Sequence, residues 1–278
     1  MMLGILEKQK PDYLAVALDY GDSSTERKEF FPEYKANRDA APEDFPQVRR
    51  IEELLGIMSI PTFKVKGQEA DDIIATIGRL LENEEVEIRI VSKDKDLHQL
   101  LTGKVKMWDP QKDLITDPES LLEDKGYTPE QAVEIQTLTG DSTDNIPGVP
   151  GIGPKKAVDL IQKYGSVEGV REHVDELTPK MSENVAKQGD LFALTRRLVT
   201  LTREVDFEFT LDAGETGRVT LPELKPVFEE LGFRRLLSRL DGPGAETAPA
   251  EEEAVRESAS GDYRLVSTSE ELEEVLSE

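Results

Sequence analysis

The stretch GQEADDIIATIGRL, residues 67–80, places Glu69, Asp71 and Asp72 at the start of an apolar helix. The apolar residues that follow recur at helical spacing and predict a buried stripe of Ile73, Ile74, Ile77, Leu80 and Leu81. One acid in a first helical turn is ordinary, because it complements the helix dipole. Adjacent like charges repel each other, so the three acids together indicate that a cation lies between them.

The composition limits the kind of cation and the kind of protein. The 278 residues include no Cys and only two His, which excludes thiolate sites, disfavours zinc and leaves a hard cation on oxygen ligands. The length allows one large domain or a little more. No signal peptide and no apolar run of about eighteen residues is present, so we expect a soluble, cytoplasmic monomer that does not contact a membrane.

The net charge of −24 is unevenly distributed along the chain. Residues 241–278 contain twelve acids against Arg256 and Arg264. Within this tail, residues 241–261 have the Pro, Ala, Glu and Ser content of a disordered linker, and residues 262–278 resemble the opening of a further domain that stops early. The less acidic body therefore leaves a nucleic-acid partner possible.

The body alternates predicted strands and helices. Strands are predicted over residues 13–19, near 62–65 and within 85–96, and the helix at 69–81 lies between the last two. This order predicts an α/β fold with a mostly parallel sheet over residues 1–115. Residues 116–240 are predicted to be helical, with helices near 129–139, 154–164 and 180–200.

Acidic residues recur where the active edge of such a sheet is expected, since ligands bind outside the carboxyl ends of parallel strands. The set comprises Asp19, Glu69, Asp71, Asp72, Asp94, Asp96, Asp141 and Asp144. Each acid alone is best interpreted as a helix cap or turn residue. Together they predict a site for two Mg²⁺ ions about 4 Å apart, the usual arrangement for phosphodiester hydrolysis.

A second motif follows at residues 138–157, LTGDSTDNIPGVPGIGPKKA. Its last part places Gly151, Ile152, Gly153 and Pro154 at a helix start, with two lysines, Lys155 and Lys156, directly behind. Backbone N–H groups at a helix start can bind a phosphate, and the lysines add positive charge. The motif predicts DNA binding without regard to base sequence; the alternative is a plain turn between two helices.

Four stretches in this order, PEYKANR, GQEADDIIAT, SKDKDLHQLL and LTGDSTDNIPGVPGIGPKKA, resemble the 5′-nuclease domain of bacterial DNA polymerases of type I, in the flap-endonuclease superfamily. The resemblance runs from about residue 5 to 240. It implies a PIN/FEN-like α/β fold followed by a helix–hairpin–helix region, and a 3′–5′ exonuclease fold that begins after the linker.

The resemblance also implies functional assignments. The eight acids would hold two Mg²⁺ or Mn²⁺ ions, with Asp19, Lys35 and Arg38 in catalytic roles. The hairpin would hold a K⁺ ion through the carbonyl groups of Leu138, Thr139, Pro147, Val149 and Ile152. The expected substrates are DNA with 5′ flaps, nicks or single-stranded 5′ ends, and RNA primers on DNA, processed in replication and repair.

Residues 22–45 correspond to the helical arch of that family, through which a single strand passes. Arg27, Lys35 and Arg38 are predicted to contact DNA, with Phe30, Phe31 and Tyr34 interleaved for base stacking. The alternative is a solvated helix whose aromatic rings pack inward, and for Phe30 and Phe31 the two interpretations are equally open.

The chain departs from the family at its start. Family members open with a central strand that ends in a further metal-binding Asp, whereas this sequence opens with MMLGILEKQKPDYLAVALD, inside the following helix. We therefore expect the chain to lack one ligand and to cleave poorly on its own. Two hypotheses follow: a structure-specific 5′ nuclease, or a non-catalytic module that binds branched or nicked DNA.

Overall fold

The computed structural model describes residues 1–20, 25–38, 46–219 and 221–240. Part of the predicted arch, the predicted linker at 241–261 and the predicted start of a further domain at 262–278 lie outside these residues. The chain divides into two compact units, Met1–Thr220 and a second that begins at Leu221. No helix in the described part of the chain has the length and apolar character needed to cross a membrane.

The first part of the larger unit alternates helices and strands. Its elements are α1 Met2–Lys8, β1 Val16–Ala17, α2 Thr25–Phe30, α3 Pro46–Ile57, β2 Thr62–Phe63, α4 Ala70–Leu80, β3 Ile88–Val91, β4 Val105–Asp109, β5 Leu114–Thr116 and α5 Pro118–Lys125. A 3-10 helix, Lys95–Leu100, follows β3. All three predicted strands are present, but each is shorter than its apolar run.

Within the described residues the strands form two small sheets, where one mostly parallel sheet was predicted. β1 pairs with β2 in parallel, with Val16 opposite Thr62. In the other sheet β3 pairs with β4 in parallel, and β4 pairs with β5 in antiparallel. Helix α4 therefore connects strands of two different sheets, and the predicted βαβ unit within a single sheet is wrong. The presence of each strand could be predicted from local pattern, whereas its paired length and its partner depend on long-range contacts.

The second part of the larger unit is helical. It contains α6 Pro129–Thr139, α7 Pro154–Tyr164, α8 Val167–Glu172, α9 Pro179–Gln188 and α10 Leu191–Val199. The bounds predicted for α6 and α7 are confirmed. The single helix predicted over 180–200 is wrong, because the backbone turns at Gly189, whose φ of 47° is left-handed.

Apolar cores lie in both parts of the larger unit. One is formed around α4, β3 and β4 and includes Ile90, Leu97 and Met107. The other joins α6 to α7 and α8 and includes Leu138 and Ile161. The smaller unit contains α11 Lys225–Glu230 and α12 Arg234–Leu240.

Candidate metal centre and nucleic-acid interface

A cavity of about 210 Å³ lies in the larger unit, and most of its polar lining is charged. Its acidic lining residues are Asp19, Glu69, Asp71, Asp94, Asp96 and Asp144, and its basic lining residues are Arg27, Lys35 and Arg38. Ile146, Leu198, Val199 and Leu201 are among its apolar lining residues. The structure thus brings six of the eight predicted metal ligands to one cavity.

Short local structures place these acids. Asp19 follows β1, and its Oδ1 accepts a hydrogen bond of 2.8 Å from the N–H of Ala70, the first residue of α4. Glu69 is the N-cap residue of α4 in extended conformation, and Asp71 lies in the first turn. Asp94 caps the 3-10 helix after β3 by accepting the N–H of Asp96 at 3.0 Å. Strand ends and helix starts therefore converge here, as predicted.

The carboxylates in this cavity repel one another strongly. Burial raises the pKa of Asp71 to about 7, and the charges of Asp94, Asp19 and Glu69 add to this effect. Burial and the charge of Asp94 raise the pKa of Asp96 to about 6. At neutral pH the cavity therefore holds negative charge at a free-energy cost that a cation would remove.

Basic side chains of the protein neutralise part of this charge. The Nζ of Lys35 lies 2.6 Å from Oε1 of Glu69 and 3.7 Å from Oδ2 of Asp144, and Arg38 donates to Asp144 as well. The Nζ of Lys95 donates to Asp141 at 2.7 Å. Although burial raises the pKa of Asp141, this hydrogen bond and the lysine charge hold it below its usual value.

The carboxylate oxygens of this cavity are the ligands that a hard divalent cation prefers. The raised pKa values of Asp71 and Asp96 show that these carboxylates repel one another, and a bound cation would relieve that repulsion. As the side chains stand, no three carboxylates or histidines among the described residues converge closely enough to hold one ion. Asp141 does not line the cavity; it lies beside it, where its charge contributes to the raised pKa of Asp96.

Asp72 is not part of the cavity, although it was predicted to bind metal. Its side chain is fully buried, and both of its oxygen atoms accept hydrogen bonds from the guanidinium of Arg27, at 2.6 and 2.9 Å. Arg27 was predicted to contact DNA; its guanidinium is engaged in this buried pair and only 7 % of the residue is exposed, and the contact with DNA stays a prediction. The sequence pattern did not connect two residues 45 positions apart.

The aromatic residues of this segment pack inward. Tyr34 is 3 % exposed, and its hydroxyl lies 3.2 Å from Oε2 of Glu69 and 3.3 Å from Oδ2 of Asp144. Burial, together with these two acids, raises the pKa of Tyr34, so the hydroxyl remains protonated. Phe30 and Phe31 pack against the core around Tyr34, which favours the inward interpretation over base stacking.

The hairpin loop at residues 140–153 depends on close backbone approaches. A side chain at Gly148 would place its Cβ 2.0 Å from the carbonyl oxygen of Thr139, and one at Gly140 would lie 2.5 Å from that of Ile146. Gly151, with a φ of 84°, occupies the left-handed region. Gly153 is the N-cap residue of α7, with Pro154 directly after it.

The exposure of this loop fits a phosphate contact. Gly151, Gly153, Lys155 and Lys156 are exposed, and Lys156 donates to the carbonyl of Gly151 at 3.0 Å. Ile152 is 4 % exposed, so only its backbone could contact a ligand. The structure therefore presents the predicted DNA-contacting residues of the hairpin on one exposed loop and helix start.

Three of the five carbonyl groups predicted to bind K⁺ already accept hydrogen bonds. The carbonyl of Leu138 accepts the N–H of Val149 at 2.8 Å, and that of Val149 accepts the N–H of Ile152 at 3.0 Å. The carbonyl of Pro147 accepts the hydroxyl of Thr195 at 2.9 Å. A carbonyl oxygen has two lone pairs, so these bonds leave one acceptor position each.

One residue near the site was missed by sequence reasoning. The Nε2 of Gln136, on α6, donates to Oδ1 of Asp96 at 2.7 Å, and Gln136 is 7 % exposed. It therefore links the helix that leads into the hairpin with an acid of the cavity. A buried polar residue on the apolar face of a predicted helix is the signal that could have found it.

The described fold is an α/β domain of resolvase-like type followed by a helical domain, and comparison with known proteins agrees. The family model described as 5′-3′ exonuclease, N-terminal resolvase-like domain, matches residues 1–126, and that described as 5′-3′ exonuclease, C-terminal SAM fold, matches residues 127–220. The chain belongs to the 5′-3′ exonuclease family, in which DNA polymerase I proteins are found. The predicted fold class and family are confirmed.

The chain covers very different shares of the individual proteins that it resembles. The chain is 38% identical over 257 residues to the DNA polymerase I of Bacillus caldotenax, covering 88% of the chain and 29% of that polymerase. It is 32% identical over 242 residues to the 5′-3′ exonuclease of Aquifex aeolicus, covering 87% of the chain and 82% of that protein. A solved mutant of the T5 5′-exonuclease matches with a TM-score of 0.60 at 27% identity, over 71% of the chain and 78% of the T5 protein. The chain spans less than a third of the polymerase it matches.

Proposed function

We propose that this chain is a nuclease dependent on divalent metal ions that hydrolyses phosphodiester bonds at 5′ ends and 5′ flaps of DNA, as the nuclease part of a DNA polymerase I-like protein. The observation that carries the proposal is the cavity in which Asp19, Glu69, Asp71, Asp94 and Asp96 converge with raised pKa values at Asp71 and Asp96. Such perturbed carboxylates mark functional sites because structural acids avoid mutual repulsion.

We propose that these acids, together with Asp141 and Asp144, would hold two Mg²⁺ ions, with Mn²⁺ as a substitute. Asp144 lies near Glu69, because the hydroxyl of Tyr34 and the Nζ of Lys35 each contact both carboxylates. When bound, the ions supply a water of lowered pKa and stabilise the departing oxygen. A T5 protein co-crystallised with metal ions is 26% identical to this chain, with a TM-score of 0.60, which supports the assignment.

Lys35 and Arg38 have a second role in this proposal. In the structure they are paired with Glu69 and Asp144, the acids proposed to bind metal. When these acids bind metal, the side chains of Lys35 and Arg38 would be free to contact the phosphate next to the cleaved bond. The buried hydroxyl of Tyr34 stays protonated and donates a hydrogen bond to one of the two carboxylates, which orients that carboxylate.

The hairpin supplies affinity without base specificity. Backbone N–H groups at Gly151 and Gly153 and the side chains of Lys155 and Lys156 would bind phosphates of the duplex. We also propose that a K⁺ ion binds near the free acceptor positions of Leu138, Thr139, Pro147, Val149 and Ile152. The proposed partners are DNA with flaps, nicks or single-stranded 5′ ends, and RNA primers on DNA.

The test is single-turnover cleavage of a 5′-flap substrate labelled at its 5′ end, in Mg²⁺ and in EDTA. We expect cleavage at the flap junction in Mg²⁺ only, with a blunt duplex of the same sequence cleaved more slowly. Tight flap binding without cleavage would favour the branched-DNA-binding module, and neither binding nor cleavage would overturn both hypotheses.

A further inference from the structure

The carboxylate of Asp72 is saturated by donors from the protein itself. Its Oδ2 accepts from Nη1 of Arg27 at 2.6 Å, and its Oδ1 accepts from Nη2 at 2.9 Å and from the N–H of Thr202 at 2.8 Å. None of the residue is exposed to solvent. A metal ion could reach these oxygens only by displacing a bidentate guanidinium from a buried position, which would leave a buried charge without a partner.

The adjacent acid behaves differently. Asp71 lines the cavity and its neighbours are acidic, whereas Asp72 is paired with the guanidinium of Arg27. Successive residues of an α-helix are rotated by about 100°, so two neighbouring acids in α4 point in different directions. The two adjacent carboxylates therefore have different roles: Asp71 faces the cavity and Asp72 pairs with Arg27.

The guanidinium of Arg27 joins three segments that are distant in sequence. Besides Asp72 on α4, its Nε donates to the carbonyl of Leu198 at 3.1 Å and its Nη2 to the carbonyl of Thr200 at 3.3 Å. Its Nη1 also lies 3.6 Å from Oε2 of Glu69. Arg27 itself lies on α2, so one side chain fastens α2 to α4 and to the end of α10.

The turn after α2 carries the residues that reach into the cavity. The N–H of Phe31 donates to the carbonyl of Arg27 at 3.0 Å, and the N–H of Tyr34 to that of Phe31 at 2.9 Å. Lys35, the next residue, reaches Glu69. Because these backbone hydrogen bonds connect Arg27 to Phe31 and Phe31 to Tyr34, the position of Arg27 fixes the positions of Tyr34 and Lys35.

We infer that Arg27 and Asp72 form a positioning pair, which fastens residues 25–38 to α4 and so places Tyr34 and Lys35 over Glu69, and that Asp72 is not a metal ligand. The inference rests on the proposed nuclease function for its effect on cleavage. The hold on residues 25–38 is independent of that function and can be measured without metal.

The experiment compares Asp71→Asn with Asp72→Asn, two neighbouring changes that each remove one negative charge and keep the side-chain shape. In a Mn²⁺ titration followed by electron paramagnetic resonance, we expect Asp71→Asn to weaken binding by about tenfold or more, and Asp72→Asn by no more than about twofold. At saturating Mg²⁺, Asp72→Asn should still lower single-turnover flap cleavage by about 10- to 100-fold, the size typical of a lost positioning partner.

Limited proteolysis in EDTA measures the hold directly. Asp72→Asn and Arg27→Gln should both expose residues 25–38 to cleavage, and Asp71→Asn should not. The double variant Arg27→Gln with Asp72→Asn leaves no unpaired buried charge and therefore guards against a failure to fold. Its loss in cleavage rate should be no larger than that of the worse single variant, because the two residues act as one unit.

Three results would overturn the inference. One is a loss of Mn²⁺ affinity in Asp72→Asn as large as that in Asp71→Asn, which would make Asp72 a ligand. Another is a normal cleavage rate at saturating Mg²⁺ in the folded Asp72→Asn protein, which would make the pair merely structural. The third is unchanged proteolysis of residues 25–38 in EDTA. A parent chain that neither binds Mn²⁺ nor cleaves would refute the proposed function, and the proteolysis would still decide whether the pair holds residues 25–38.

Discussion

Replacing Asp71 with Asn should stabilise the metal-free protein at alkaline pH. In the folded chain burial and neighbouring carboxylates raise the pKa of Asp71 from 3.8 to about 7. Between these two pH values the folded state holds a proton that the unfolded state has released. The free energy of unfolding therefore falls as the pH rises through this window, and the folded state is penalised most above about pH 7.

The size of the penalty follows from the two pKa values. A difference of about 3 corresponds to about 4 kcal/mol, which is an upper limit because water and salt screen the charge. A change of 1 kcal/mol moves the melting temperature of a domain this large by about 2–4 °C. We therefore expect Asp71→Asn to melt several degrees above the parent chain in EDTA at pH 8, and at nearly the same temperature near pH 4, where Asp71 is protonated.

Asp71→Asn should also lose most of the stabilisation that Mg²⁺ binding gives the parent chain. Mg²⁺ should raise the melting temperature of the parent chain by mass action and raise that of Asp71→Asn much less. Flap cleavage should fall with it, provided that the parent cleaves. The assays are thermal melts from pH 4 to 8 in EDTA and in Mg²⁺, with single-turnover cleavage beside them.

Glu119→Gln provides the control for the helix dipole, because Glu119 is an exposed acid in the first turn of α5. It should cost a few tenths of a kcal/mol in either buffer. If Asp71→Asn behaved in the same way, with a slightly lower melting temperature in EDTA and normal cleavage, the acids of α4 would be a helix start and the reasoning from repulsion would be refuted.

Three further predictions concern the hairpin and its link to the cavity. Lys155→Ala with Lys156→Ala should weaken DNA binding for any sequence and flatten its salt dependence by about one to two units of slope, as measured by fluorescence anisotropy. Gly148→Ala should destabilise the folded chain in urea unfolding by about 2 kcal/mol or more, because the added Cβ would meet a backbone carbonyl at 2.0 Å. Gln136→Leu should weaken Mn²⁺ binding, because Asp96 loses a buried hydrogen-bond donor that lowers its pKa.

Each of these changes has a matched comparison or a contrary result. Lys163→Ala, at the far end of the same helix as Lys155 and paired with Glu176, should leave the salt slope unchanged. Gly153→Ala meets nothing within 4 Å and should cost no more than about 1 kcal/mol in urea unfolding, the loss of a favourable N-cap residue. Equal losses at Gly148 and Gly153 would contradict the argument from close approach, and unchanged Mn²⁺ affinity in Gln136→Leu would remove that residue from the site.

The sequence by itself determined α6, α7 and the hairpin loop between them, because their signals are local. The bounds of α6 and α7 follow from Pro at a first helical position and Gly after the last turn, at Gly140 and Gly165. The acids of the cavity were also found, since they come at strand ends and helix starts that converge in any open parallel sheet.

Only the tertiary structure decided which acids face the cavity. Asp71 and Asp72 are adjacent and chemically the same in the sequence, and their roles separate because the guanidinium of Arg27, 45 residues away, occupies the space beside Asp72. The inward position of Tyr34 and the donor from Gln136 to Asp96 are likewise contacts between distant segments. The split into two sheets has the same origin, because strand pairing is chosen by the packing of the whole chain and not by the apolar pattern of any one strand.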